Sequence, residues 1–244
     1  MQMNSRKVGI LGGMGPAAGA DFIRLFVAAC KRELQAGGSA VFDQAFPEHW
    51  LVQLPVPDRT EALLDDGPSP LAGMLRGIEG LARHEVVSVA IACNTAHAWH
   101  PQLQAACPEV ELLHIVHETV RSLADDGVAS VGLLATLGTY RLGLYQQALQ
   151  ARGIVCHLPS EAERAQLMRG IVEGVKAGDM ALASTLFAEV AASMVERHGC
   201  RHLVLACTEI PLALTALDAH PGVRLVDPAQ VLAQALAQRA YAAA

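Results

Sequence analysis

The stretch V-G-I-L-G-G-M-G-P at residues 8–16 decides the fold, because it returns 123 residues later as V-G-L-L-A-T-L-G-T at residues 131–139. Each copy is a short aliphatic run that closes on a glycine-bearing turn and leads into a helical pattern, as a buried strand feeding a helix does. A second pair follows in the same order, with I-A-C-N-T at 91–95 matched by L-A-C-T-E at 205–209, 114 residues on. A weaker third pair sets 113–119 against 225–230. Agreement in both order and spacing points to an internal duplication.

Working outward, aliphatic runs at 8–11, 86–92, 112–116, 131–135, 203–206 and 223–226 predict strands. Helical spacing predicts helices over 17–35, 70–83, 140–152, 160–177, 180–198 and 228–241. The alternation implies an α/β fold of two similar Rossmann-like lobes with mainly parallel sheets, related by a pseudo-twofold axis. Residues 1–116 form the first lobe in this reading, completed by a C-terminal helix over 227–244, and residues 117–226 form the second. Open α/β sheets bind ligands beyond the carboxyl ends of their strands, so the site is expected in the cleft between the lobes. Cys93 and Cys207 would then face one small ligand from opposite sides.

Composition removes other classes. The 244 residues carry a net charge of −6 with no run of Lys or Arg longer than two, which offers no footprint for nucleic acid or an anionic membrane surface. No apolar stretch reaches the roughly 18 residues of a membrane span. Arg6 and Lys7 before an apolar run could pass for a signal peptide, but glycines and Pro16 interrupt that run and its copy lies in mid-chain. The six cysteines form no CxxC pair and no zinc-like spacing, so free thiols in a reducing cytoplasm are expected. His97 and His100 share one helical face, yet without a third ligand they read as packing or hydrogen-bonding groups, and no metal site is assigned.

Two opposed thiols suit one kind of chemistry. Taking a proton from one face of a carbon and returning one to the other needs a base and an acid on opposite sides. A cysteine, with a reference pKa of about 8.5, can serve as either. Asn94 and Thr208, each following a cysteine, stand where helix caps belong, and free amides there could receive a carboxylate.

Taken together, G-G-M-G-P, L-P-V-P-D-R-T at 54–60, A-C-N-T-A-H at 92–97, L-L-A-T-L-G-T at 133–139 and A-C-T-E-I-P-L at 206–212 resemble the aspartate/glutamate racemase family over nearly the whole chain. The resemblance implies racemisation of an acidic amino acid, or of a broader set, by two-base proton transfer between Cys93 and Cys207 without pyridoxal phosphate or another cofactor. It further implies that Arg59 binds a substrate carboxylate, that Asn94, Thr95 and Thr208 hold the substrate beside the cysteines, and that Lys176 contacts it. Met14 and Thr139 would line the cleft, and a homodimer is common among such proteins.

Two departures bear on the side chain bound. Many relatives carry D-Q-D-H where this chain has D-Q-A-F at 43–46, leaving Phe46, or a displaced His49, where a histidine is expected. Glutamate racemases of the cell-wall type have D-S-G after the first strand, where this chain has G-G-M-G. Rival readings remain open: an isomerase or decarboxylase acting on a small dicarboxylate, a non-catalytic small-molecule binder, or a dinucleotide-binding protein. The last rests on Gly13-Met14-Gly15-Pro16-Ala17-Ala18, which fits G-x-G-x-x-A but lacks a ribose-binding acid at the expected distance.

Overall fold

Residues Val8–Gly12 form β1, buried along all five positions, as an aliphatic run without polar alternation requires of a strand covered on both faces. The computed structural model describes residues 5–215 and 222–242, so the first four residues of the expected first lobe, residues 216–221 of the expected second and the last two of the expected 227–244 helix lie outside the described residues. After β1 come α1 (Pro16–Ala36), β2 (His49–Gln53), α2 (Arg59–Leu64), α3 (Leu71–Ala82), β3 (Ser88–Ile91), α4 (His100–Ala106), β4 (Glu111–Leu113) and α5 (Ile115–Asp125). The same plan then repeats with β5 (Ser130–Ala135), α6 (Leu137–Leu142), α7 (Leu144–Gln150), β6 (Val155–His157), α8 (Glu161–Arg169) and α9 (Met180–His198). It closes with β7 (His202–Ala206), α10 (Ile210–Ala213), β8 (Arg224–Val226) and α11 (Pro228–Tyr241). The sheets run β2-β1-β3-β4 and β6-β5-β7-β8, with every pairing parallel. This is the two-lobed α/β fold that the repeated motifs imply.

Alternation along the strands sorts the side chains between layers. Val8 and Ile10 of β1, and Val131, Leu133 and Ala135 of β5, enter one continuous core that also holds Phe22 and Phe26 of α1, Val120 of α5, Tyr145 of α7 and Leu236 of α11. Leu11 faces the outer layer of α3 and α4, while Leu134 faces that of α8 and α9. The lobes therefore share a central helical layer. Within it α11 lies against the first half of the chain: Tyr241 donates to the Ala45 carbonyl at 2.9 Å, and Arg239 Nε reaches Glu111 of β4 at 2.9 Å.

Several expectations need correction. β2 and β6 were not predicted; both are edge strands whose residues are largely half-buried or exposed, so neither presents a buried aliphatic run. Residues 112–116 are not one strand: β4 ends at Leu113 and α5 begins at Ile115. The helix expected over 140–152 is broken at Gly143, whose φ of 67° is left-handed. The helix expected over 160–177 begins with a Ser160–Glu163 capping box but widens into a π-turn over Gly170–Val175. Asn94 and Thr208 cap no helix. A 3₁₀ turn over Thr95–Trp99 follows Asn94 with no side-chain cap, and the Thr208 hydroxyl donates instead to Glu209. Among the described residues, no helix is long and apolar enough to cross a membrane.

The turn that ends β1 tolerates only glycine at one position. Gly13 has φ +91°, and a methyl there would stand 2.4 Å from the Leu54 carbonyl oxygen. Gly13→Ala is expected to cost at least about 2 kcal/mol in urea unfolding, combining backbone strain with overlap. Gly38→Ala, at φ +66° but in open space, should cost about 1 kcal/mol.

Candidate active site

The carboxyl ends of β1, β3, β5 and β7 converge on a cavity of about 270 Å³. Cys93 follows β3 and Cys207 follows β7, equivalent positions in the two sheets, and both line this cavity. Met14, Arg59, Asn94, Thr95, Lys176 and Thr208 line it as well. Thr139 does not. Its hydroxyl is buried 3.0 Å from those of Thr95 and Thr136, a triangle behind the wall in which Thr136 is the member that joins Thr95 at the cavity. A larger open groove of about 870 Å³ lies along α5, β8 and α11, but no cysteine lines it among the described residues. Its Arg224 and Arg239 are paired with Asp126 and Glu111.

Arg59 is held rather than free. Its Nη2 donates to the Met14 carbonyl at 2.9 Å and its Nη1 to Pro57 at 3.2 Å, whereas the buried Nε has no protein acceptor. Burial disfavours the guanidinium charge, but the Cys93 sulfur, Asp58 and Glu209 outweigh it and hold Arg59 above its ordinary pKa. The amide of Asn94 is treated similarly. Tyr145, fully buried, donates to Asn94 Oδ1 at 2.6 Å, leaving Nδ2 buried with no partner. Arg59 Nε and Asn94 Nδ2 are thus two buried donors without a protein acceptor on residues that line the cavity, a state that costs about 1–3 kcal/mol each.

The second lobe is built differently. Glu209, buried and absent from the expected set, accepts from Cys207 Sγ at 3.0 Å, from the Thr208 hydroxyl at 3.2 Å and from the Gly15 amide of the first lobe at 3.3 Å. Burial, then the Glu209 carboxylate, push the Cys207 thiol well above its ordinary pKa, so this sulfur carries its proton. The signal for Glu209 was in the repeat, since it occupies the place of Thr95 in the first copy. Tyr145 had no such signal. It is 51 residues from its partner and lies on α7.

Around the mouth, Lys176 follows the π-turn and its Nζ lies 3.8 Å from Asp58 Oδ2. Asp58 caps α2 by accepting from the Thr60 and Glu61 amides at 2.7 and 3.1 Å. Against the raising effect of burial, those amides and Arg59 and Lys176 hold its carboxyl below the usual range. Phe46 and His49 are outside the site: Phe46 packs on the central core, and the His49 ring meets Phe26 edge-on. The Gly15 amide, which a dinucleotide phosphate would require, is already given to a carboxylate.

Behind Cys93 stand four imidazoles. His97 Nδ1 donates to the Cys93 carbonyl at 2.9 Å and Nε2 accepts from the Ile115 amide at 3.2 Å; the His97 ring stacks with His100 and the His114 ring with His117, the two pairs tilted against each other. Among the described residues, no group of three or more His, Cys, Asp or Glu is placed to hold a metal ion.

Two similar α/β lobes that each bring one cysteine to a shared cavity define the class by architecture: a two-lobed α/β protein whose cavity lies at the carboxyl ends of both sheets. The family model for Asp/Glu/hydantoin racemases matches residues 11–236, and the chain belongs to that family. A broad-specificity amino-acid racemase of Bacillus subtilis is 30% identical over 60% of this chain and 61% of its own length. A glutamate racemase of Limosilactobacillus fermentum is 32% identical over 62% of this chain and 56% of its own. The chain thus matches under two thirds of each of these relatives. Among solved structures, aspartate racemase from Picrophilus torridus superposes with a TM-score of 0.78 at 28% identity, covering 95% of this chain and 92% of that one.

Tyr145→Phe should free the Asn94 amide to turn, raising KM for any carboxylate substrate several-fold with a smaller change in kcat; steady-state kinetics would read the split. The histidine group contributes to the acid limb of stability. Burial first, then neighbouring rings, lower His97 to about 4 and His114 to about 2, so both stay neutral in the folded protein while the unfolded chain takes up protons below about pH 6.5. The contribution of these rings is therefore expected to be full above pH 7 and to fall by on the order of 1–2 kcal/mol per ring by pH 5, partly offset by Asp227, whose carboxyl burial raises to about 6. Thermal melts across that range should show the slope, and His114→Asn should flatten it.

Proposed function

We propose that this protein is an amino-acid racemase that acts without a cofactor, with Cys93 and Cys207 as base and acid on opposite faces of the substrate α-carbon. The substrate is an acidic amino acid, aspartate or glutamate, or a member of a broader set. The observation that carries the reading is the pairing of equivalent cysteines on one cavity with unequal neighbours. The Arg59 guanidinium stands beside Cys93, and the Glu209 carboxylate accepts a hydrogen bond from the Cys207 thiol. The names of the racemase relatives support the same chemistry.

The α-carboxylate is received at the wall built by Arg59 and Asn94, whose polar groups are held in place by the fold. The Cys93 thiolate removes the α-proton: the C–H bond breaks, an S–H bond forms, and the electron pair left on the α-carbon spreads into the carboxylate beside Arg59. The Cys207 thiol then gives its proton to the opposite face, and its own electron pair stays on sulfur as the new thiolate. The reverse reaction exchanges the roles. Burial of the site strengthens each of these interactions relative to water.

Replacing either thiol tests the scheme. Cys93→Ala and Cys207→Ala are each expected to lower racemisation by about 10²–10⁴-fold, the usual worth of a positioned acid or base. In D₂O, each variant should still exchange the α-proton of the one enantiomer that its remaining sulfur faces. Unchanged racemisation in either variant would exclude the two-base mechanism.

A further inference from the structure

The racemase reading, on which this inference rests, asks each sulfur to stand as a thiolate in one half of the cycle. Cys93 has the Arg59 guanidinium beside it, a cation that suits an anion. Cys207 has the opposite kind of neighbour. Glu209 Oε2 lies 3.0 Å from its sulfur, and both side chains are buried. Two acidic groups that close and that poorly hydrated do not ionise together, because each disfavours the charged form of the other. The thiolate that the cycle needs on this side therefore requires a proton to stay at Glu209.

The carboxyl group is oriented for that task. Oε1 accepts from the Gly15 amide of the opposite lobe at 3.3 Å, and an amide N–H can only donate, so this oxygen is kept as an acceptor. Oε2 faces the Cys207 sulfur and, at 3.2 Å, the Thr208 hydroxyl, which can donate or accept. A proton on the carboxyl group thus belongs on Oε2, beside the sulfur. The other ionisable groups on the cavity are Asp58, Arg59, Glu61, Cys93 and Lys176, and Tyr140, near Cys207, has its hydroxyl held by the Ala135 amide and the Leu133 carbonyl. Those of the adjoining π-turn and α9 are exposed, apart from His198, which stacks on His157.

We propose that Glu209 is a third acid–base residue of the reaction, taking the Cys207 proton onto Oε2 and holding it as a hydrogen-bond donor to the thiolate. The S–H bond breaks, an O–H bond forms, and the negative charge moves from the carboxylate to the sulfur, whose electron pair then removes the α-proton. When Cys207 acts as the acid instead, microscopic reversibility keeps the same proton on Glu209. The thiolate left behind then accepts from Oε2 rather than facing a second anion.

Glu209→Gln tests this, because its amide keeps an oxygen for Gly15 and offers the sulfur an N–H at every pH. Racemisation of L-aspartate, L-glutamate, L-alanine and L-methionine in D₂O would be followed from about pH 6 to about pH 10. The variant is expected to stay within about tenfold of the unaltered protein near neutral pH. Its alkaline loss of activity should come at least about one pH unit later, since it has no proton to give up at this position. An unchanged alkaline limb, or a loss beyond about 10³-fold in a folded variant, would overturn the role. No exchange by the unaltered protein with any of the four would overturn the racemase reading, and the role with it. A second measurement needs no turnover: in a Cys93→Ala background, iodoacetamide should alkylate Cys207 at least about tenfold faster near neutral pH once Glu209→Gln is added, as read by mass spectrometry. An equal rate would show that the carboxyl group does not govern the thiol, and would overturn the role whatever the racemisation result.

Discussion

The geometry of the site depends on a crosswise contact between the lobes. The residue two places after each cysteine reaches the glycine turn of the opposite lobe. Glu209 accepts the Gly15 amide at 3.3 Å, and Thr95 lies so close to Gly138 that a methyl added there would stand 3.1 Å from Thr95 Cγ2. Because Gly15 and Gly138 are equivalent positions of the repeated strand-turn, these contacts fall at equivalent places, one a hydrogen bond and the other van der Waals packing. They fix the turn of each lobe against the cysteine loop of the other, so both thiols open into one cavity rather than two. The continuous core of α1, α5, α7 and α11 backs this arrangement with apolar contact on a larger scale.

Within that symmetric frame the chemistry is unsymmetric. Thr95 meets the second lobe through neutral hydroxyls, whereas Glu209 brings a carboxylate to within 3.0 Å of the Cys207 sulfur. On the other side, Arg59 is pinned by two backbone carbonyls with its Nε left over, and Tyr145 spends the acceptor of Asn94 so that only its donor remains. Each of these is a buried polar group whose partner was chosen by the fold, and a buried group that cannot reorient acts as a preorganised dipole.

Most of the frame was legible because the repeat carried it. Strands that are buried on both faces cannot hide their composition, so β1, β3, β5 and β7 stood out, and with them the two cysteines that end the inner strands. Edge strands β2 and β6 did not, since His49, Trp50 and Gln53 in the one and His157 in the other interrupt the aliphatic run at partly exposed positions. Residues 112–116 misled because an aliphatic stretch continues past the last residue of β4 into the first turn of α5, and both ends of the junction are buried. Thr139 was matched by motif to the cleft, but the side chain of a buried helical residue is aimed by its turn, and here it is aimed at two other hydroxyls. Tyr145 illustrates the limit: its partner is set by how α7 crosses the central layer, which no local pattern encodes.

The inequality between Thr95 and Glu209 has a kinetic meaning. For the racemisation proposed, the two enantiomers have the same free energy in water, so no arrangement of the site can favour one at equilibrium. The Haldane relation then makes kcat/KM equal in the two directions. A carboxylate beside one sulfur and a guanidinium beside the other can only redistribute the free enzyme between its two protonation forms, and with it the separate values of kcat and KM for each hand of substrate. What the duplication gave up in symmetry therefore appears as a standing bias in which enantiomer the resting enzyme is ready to accept.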